Sequence, residues 1–429
     1  MKLLIKNGRV IDPATKLDAI KDILVLNEKI VEVQDEINQE ADEIIDAKGY
    51  WVVPGLIDVH VHLREPGFEH KETIETGSKS AAMGGFTTIC CMPNTQPVVD
   101  SVEIVQYIKE KTKRQAVVNV LPIGSITKGQ MGKELVDVEK LVESGICGIS
   151  EDGKTVMDSA LLKKAMEQAK AANIPVFSHC EDHTLVQGGA MNAGKKAEAL
   201  GIKGLGRDAE EVIIARDIIL ARNTGVKLHL CHVSTKGGVE LTREAKQRGE
   251  NVTAEVCPHH FALTEDIVEK DFTNSKMNPP LRTGEDVDAI KQGLVDGTIE
   301  VIATDHAPHH ADEKNQEFHQ APFGIVGLET ALSIGMTELV ATKLLTPMSF
   351  IEKMTINPAK LLGIDKGTIQ VGKIADITIL DSNLEYEIDV NTFASKSNNS
   401  PFHGSKVKGK VMFTIVAGEI IVENGELKH

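Results

Sequence analysis

Leu56-Ile57-Asp58-Val59-His60-Val61-His62-Leu63-Arg64, entered through the breaker pair Pro54-Gly55, is the stretch on which the reading of the whole chain turns. Apolar residues alternate here with Asp58, His60 and His62. That period of two predicts a strand from which both imidazoles leave by the same face. A fixed strand carrying neutral imidazoles at i and i+2 can grip one zinc-like ion. Two partly buried histidines with ordinary hydrogen-bond partners give the same short pattern, so the rest of the chain has to decide between the two.

Working outward, residues 2–53 hold short strand-like runs at 3–6, 22–26 and 30–33, separated by polar turns, and predict a small β unit. From residue 56 to about 345 the pattern changes. Strand candidates at 87–92, 116–123, 147–150, 175–179, 226–232, 252–256 and 300–304 alternate with amphipathic segments such as 161–172, 209–223 and 287–295. Eight strands with intervening helices predict a parallel (β/α)8 TIM barrel, whose chemistry gathers at the C-terminal strand ends. A helical tail runs to about 363, and strand-like runs return at 375–380 and 411–422. The domain organisation expected is therefore a barrel over 54–365, with residues 1–53 and 366–429 joined in one composite β-sandwich. The polar run 395–400 reads as a loop.

With 429 residues and 41% hydrophobic composition the chain is long enough for both units. A formal net charge of −16 argues against nucleic acid or an anionic membrane as partner, since either wants clustered Lys and Arg. The N-terminal apolar run is too short for a signal peptide, and no run approaches the roughly 18 apolar residues of a spanning helix. The expected location is cytoplasmic. The 6 cysteines include no Cys-x-x-Cys pair and sit mostly in apolar runs, which suits reduced, buried thiols. Of these, Cys180 and Cys231 each neighbour a histidine.

The strand ends, taken in order, carry His60 and His62 on the first, Asp152 after the fourth, His179 ending the fifth, His232 ending the sixth and Asp305 ending the eighth. A lone strand-end Asp is usually a cap, and a lone His is usually a satisfied one. Six ligand-capable residues coinciding on one rim point instead to a binuclear metal site. His60, His62 and Asp305 would surround one ion and His179 and His232 the other, with a carboxylate bridging both. Asp152 and Lys154 compete for the bridge. Asp152 is ionised without modification and Gly153 permits the turn that aims it inward, whereas Lys154 would first need carboxylation.

This pattern resembles the amidohydrolase superfamily and, within it, the class I dihydroorotases. The resemblance rests on residues 54–64, Cys-Met-Pro-Asn-Thr (91–95), Ser-His-Cys-Glu-Asp (178–182), Cys-His-Val-Ser (231–234), Cys-Pro-His-His (257–260), Lys-Met-Asn-Pro-Pro-Leu-Arg (276–282) and Ala-Thr-Asp-His-Ala-Pro-His (303–309). It reaches both chain ends through Ile5-Lys6-Asn7-Gly8 and Gly372-Lys373-Ile374-Ala375-Asp376.

It implies reversible cyclisation of N-carbamoyl-L-aspartate to L-dihydroorotate in de novo pyrimidine biosynthesis. Zn2+ is implied, two per chain expected and one the alternative, with water activated between the two and Asp305 as proton shuttle. The substrate carboxylate calls for a bidentate partner, which Arg64 can supply from the strand face of His62. The family pattern adds His62 and Asn94 beside it, Asn278 and His309 on the ring amide groups, and backbone at Phe323 and Gly324. A homodimer, and association with aspartate transcarbamoylase, are family expectations.

Two rivals remain. A hydantoinase or allantoinase would share the ligands but need no clamp like Arg64 with Asn94. A non-catalytic structural partner of aspartate transcarbamoylase would have lost ligands, and none is lost here. His260, His306 and His310 read as structural, and the long polar segment 310–322 as part of a lid.

Overall fold

The computed structural model describes residues 1–269 and 272–428. Its centre is a closed ring of parallel strands: β1 (Leu56–Val61), β2 (Phe86–Cys91), β3 (Asn119–Pro122, continued by Gly124–Ser125), β4 (Ile149–Ser150), β5 (Val176–Ser178), β6 (Leu228–Leu230), β7 (Val252–Val256) and β8 (Val301–Ile302). Each pairs in parallel with the next. The ring closes where Val61 bridges His306 in parallel and the His62 amide donates to the His306 carbonyl at 2.8 Å. These are the eight strands the sequence predicts.

Every residue of β1 and β2 is buried. The period of two therefore sorts side chains between the barrel interior and the surrounding helix layer, both of them dry. The helices form for local reasons. Ser159–Ala171 starts where the Asp158 carboxylate accepts from the amides of Ala160 and Leu161, and it buries Leu162, Ala165, Met166 and Ala169, three to four residues apart. No helix among the described residues is long and apolar enough to cross a membrane.

The two chain ends meet in one 9-stranded sheet. Trp51–Pro54 lies between Lys2–Asp12 and Ile377–Glu387, and Lys406–Val416 and Glu419–Glu423 extend the sheet beyond. A core of its own, including Leu3, Ile5, Val10, Val52, Ile377, Ile379, Phe413 and Ile415, draws on both ends.

The strands are longer than the short runs expected. The first continues past residue 6 to Asp12, because Asn7, at φ 60, and Gly8 form a bulge with a register shift between Ile5 and Gly8. The Asn-Gly pair that reads as a turn thus bends the strand without ending it. Strands at Glu43–Asp46 and Trp51–Pro54 carry too few residues to have stood out in the sequence.

Candidate metal and substrate site

β1 places the first ligands. The ring centroids of His60 and His62 lie 5.5 Å apart on one face. The Asp58 carboxylate accepts from the His60 amide at 3.0 Å and the Thr304 amide at 3.2 Å, so it pins β1 to the end of β8 and takes no place in the site itself. His60 Nε2 is 3.3 Å from Asp152 and 3.4 Å from Asp305, while His62 Nε2 is 3.0 Å from Asp305 and 3.4 Å from Asp152. On the far side of Asp152 stand His179, with Nδ1 3.6 Å from Oδ1, and His232, with Nε2 2.9 Å from that same His179 nitrogen. The six residues read as ligands therefore do converge.

The site also makes use of backbone strain. Arg64, His232 and Asp305, none of them glycine, sit at φ 60, 33 and 48. Such conformations cost of order 1–3 kcal/mol each and persist only where the surrounding structure imposes them. Gly153, at φ 75, makes the turn after Asp152, as its position in the sequence suggests.

Three buried polar atoms in the cluster have no hydrogen-bond partner: His60 Nε2, Asp152 Oδ1 and His232 Nδ1. Three overlapping triads, His60/His62/Asp152, His60/His232/Asp305 and Asp152/His179/His232, each bring ligand atoms within 4.8 Å of one another. Burial raises the carboxyls of Asp152 and Asp305, but the imidazoles around them outweigh it and hold both below the ordinary range. Burial and the neighbouring His179 and His60 rings push His232 down to about 3, which keeps it a neutral donor. Burial lowers His60 and His179 as well, but the carboxylates beside them raise both, and a zinc-like divalent cation taken up by this donor set would displace those protons.

Sequence reasoning missed Glu255. Lying within β7 and fully buried, it accepts from His60 Nδ1 at 2.6 Å, His229 Nε2 at 2.9 Å and the His232 amide at 3.2 Å. Burial would raise its carboxyl, yet His60 and His229 bring it down to about 2. It holds Nδ1 of His60, so that Nε2 is the nitrogen turned toward the cluster. A lone carboxylate in the strand Val-Thr-Ala-Glu-Val was the available signal.

The cavity beside the cluster, about 200 Å³, is lined by His62, Arg64, Asn94, Asn278, His309, Phe323 and Gly324 among others, so it gathers every residue read as substrate-binding. Arg64 donates from Nε to the Pro308 carbonyl at 3.1 Å. Burial lowers its guanidinium to about 10, with Asp305 and Asp152 opposing, and it stays charged at neutral pH. His309 Nε2 donates to the Phe323 carbonyl at 2.8 Å. Burial and then the Arg64 and Lys71 cations depress its basicity, so it is neutral.

Asn94 does more than line the cavity: its Oδ1 accepts from His62 Nδ1 at 2.8 Å and its Nδ2 donates to Asp152 at 3.3 Å. The Asn278 amide donates to Glu181 at 2.6 Å. Lys154 lies exposed outside the cluster, with Nζ on the Gln130 carbonyl at 3.0 Å. Of the histidines read as structural, His306 is buried on Glu72 and His260 is buried with Nε2 on the Pro279 carbonyl, while His310 is exposed at a helix start.

A barrel with this cluster at its strand ends is that of a hydrolase of the amidohydrolase kind. Among solved structures, the L-hydantoinase (dihydropyrimidinase) from Arthrobacter aurescens superposes with a TM-score of 0.91 at 28% identity, covering 100% of this chain and 97% of that one. The dihydropyrimidinase from Brevibacillus agri superposes with a TM-score of 0.88 at 26% identity, covering 100% and 96%. Residues 49–238 match the family model described as Dihydro-orotase-like. The dihydroorotase of Acetivibrio thermocellus is 54% identical over 98% of this chain and 99% of its own length, and that of Ruminiclostridium cellulolyticum is 51% identical over 98% and 99%. At that likeness the chain belongs to the dihydroorotase family.

Proposed function

We propose that this chain interconverts N-carbamoyl-L-aspartate and L-dihydroorotate, a step of pyrimidine biosynthesis. One observation carries the reading: a single cavity is walled both by residues of the ligand cluster and by the half-buried, charged Arg64. A cyclic amide bearing one carboxylate needs both walls.

His60, His62, Asp152, His179, His232 and Asp305 would hold two zinc-like cations, with Asp152, which belongs to a triad on either side, between them. Such cations supply Lewis acidity at the scissile carbonyl and make water acidic enough to lose a proton near neutral pH. Asp305, ionised at neutral pH and 3.0 Å from His62, is the base that takes this proton and returns it to the departing ring nitrogen. Arg64 fixes the ring carboxylate, and the neutral His309, Asn278 and the backbone at Phe323 and Gly324 meet the ring amide groups. Run backwards, cyclisation turns a dianion into a monoanion and consumes a proton, so lower pH favours the ring and higher pH the open chain.

The rival is hydantoin hydrolysis on the same barrel, and Arg64 decides against it, because an uncharged ring leaves that cation unpaired. The test offers metal-loaded protein dihydroorotate and hydantoin side by side, then repeats the assay after exhaustive chelation. Dihydroorotate should be the better substrate and its hydrolysis should vanish with the metal. Preference for hydantoin, or full activity without metal, overturns the assignment.

A further inference from the structure

The segment between the strands Ile377–Glu387 and Lys406–Val416 leaves the terminal sheet and crosses to the mouth of the barrel. The Ala394 and Ser395 amides donate to Glu329 at 2.9 and 3.2 Å, and the next contacts fall on the loop after β1. Ser395 Oγ donates to Glu72, the Lys396 amide to Glu72 at 3.2 Å, and Ser397 Oγ to the Lys71 carbonyl at 2.8 Å. Its last falls on the loop after β8, through one buried side chain. Asn399 Oδ1 accepts from the His309 amide at 3.1 Å, while Nδ2 donates to the carbonyls of Ala307 at 3.2 Å and Gly324 at 3.1 Å. The Asn399 carbonyl in turn accepts from the Val326 amide at 3.0 Å.

Ala307, His309 and Gly324 all line the substrate cavity, whereas Asn399 does not reach it. Its side-chain hydrogen bonds go to His309, Ala307 and Gly324, none of them a residue of the ligand cluster.

The chemistry asks for an amide at this position. One acceptor and two donors must leave a side chain of this size in three directions, and of the residues with its shape only Asn supplies them. The partners fix which atom is oxygen, since an N–H faces one side and two carbonyls the other. The backbone it holds has little freedom: Gly324 sits at φ 122, and a Cβ there would come within 2.6 Å of the Ala307 Cβ. Lys314 Nζ donates to the same Gly324 carbonyl at 3.1 Å.

We propose that Asn399, delivered from the C-terminal part of the chain, is a positioning residue for substrate recognition, acting through His309 and Gly324 and not through the metals. This rests on the reading of the cavity as a dihydroorotate site. Asn399 sets the His309 ring and the 323–324 backbone before substrate arrives.

The decisive variant is Asn399→Asp, which keeps shape and acceptor but turns both donations into carboxylate–carbonyl repulsions; Asn399→Ala accompanies it. In metal-loaded protein, KM for dihydroorotate should rise about ten-fold or more, with kcat changed less and metal content at the wild-type level. Wild-type KM in either variant, accompanied only by a lower Tm, would overturn the proposal and leave the segment a stability element. A second measurement needs neither variant nor turnover. The His309 and Val326 amides of wild-type metal-loaded protein should exchange slowly with no substrate present. Fast exchange that slows only on adding N-carbamoyl-aspartate would show that substrate, and not Asn399, sets this backbone. If wild-type protein failed to hydrolyse dihydroorotate, the substrate assignment would fall, and amide exchange would still decide whether Asn399 holds the wall.

Discussion

The two walls of the cavity are built by different means. The ligand wall stands on strand ends: its six side chains leave β1, β4, β5, β6 and β8 within a residue or a few of regular pairing, with Glu255 orienting His60 from outside the cavity and Asn94, which lines it, orienting His62. The substrate wall stands on loops, with Arg64 and Asn94 each three residues past a strand end. His309, Phe323 and Gly324 are held from outside the barrel by Asn399, and by the buried lysines Lys276 and Lys314. Lys276 Nζ donates to the carbonyls of Phe318 and Ala321, each at 2.6 Å, and Lys314 Nζ to those of Pro322 and Gly324 at 3.0 and 3.1 Å. A strand fixes a side chain by its own ladder. A loop must be fixed by groups from elsewhere, here three polar side chains that ordinarily stay in water. Within the segment 310–322, read as part of a lid, Lys314 is one of these groups and the carbonyls of Phe318, Ala321 and Pro322 are among their acceptors.

The comparison breaks most sharply at Asp305, the member of the ligand wall that is also assigned the proton. Asp305→Asn keeps an oxygen facing His62 but removes the base. Turnover should fall by about two to four orders of magnitude while part of the metal remains, as read by steady-state kinetics with metal analysis. Survival of turnover would hand the proton to another group and dissolve the division of labour proposed for the cluster.

Arg64→Met tests the opposite wall. It removes the charge partner of the ring carboxylate and touches no proposed ligand, so kcat/KM for dihydroorotate should fall about a hundredfold with metal content unchanged. A loss of metal instead would mean that the two walls are one mechanical unit.

Glu255 measures how far the ligand wall depends on what lies behind it. Glu255→Gln leaves a side chain of similar size but weakens its acceptance from His60 and His229, and metal affinity should fall about 10- to 100-fold in competition with a chromophoric chelator. Unchanged affinity would show that the strand alone orients the imidazoles.

The same contrast explains what could be read from the sequence. His60 and His62 announced themselves because a period of two is a property of five or six neighbouring residues, and the other ligands because each closes an apolar run. Arg64 was read as lying further along the same strand, although β1 ends at Val61 and Arg64 stands in the loop beyond it at φ 60. Asn278, His309, Phe323 and Gly324 entered only through family resemblance, since nothing near them in sequence records what they face. Glu255 was visible as a charge inside an apolar strand, but its partners lie on other strands. Asn399 sits in a polar run of ordinary loop composition, and its three partners are 75 to 92 residues away. Local pattern gives the secondary element; the destination of a loop is a tertiary fact.

The smallest expected effect concerns the bridge between the proposed metals. Many barrels of this kind use a carboxylated lysine on strand four, and Lys154 is the one lysine close to β4 in sequence. The geometry separates the candidates. Asp152 lies inside the cluster, 3.3 to 3.6 Å from nitrogens of His60, His62 and His179, and accepts a hydrogen bond from Asn94. Lys154 is two residues further on, past the turn at Gly153, exposed, with its ammonium on the Gln130 carbonyl. To serve as a ligand it would have to reverse that turn, lose its proton and gain carbon dioxide, whereas Asp152 needs none of these. Lys154→Ala should therefore leave kcat, KM and metal content at wild-type values, and apo-protein reconstituted with metal in bicarbonate-free buffer should recover full activity. Asp152→Ala, measured alongside, should lose metal and activity together. If recovery required bicarbonate, or if Lys154→Ala were the inactive variant, the bridge would be a modified lysine and the ligand wall would not be complete in the unmodified chain.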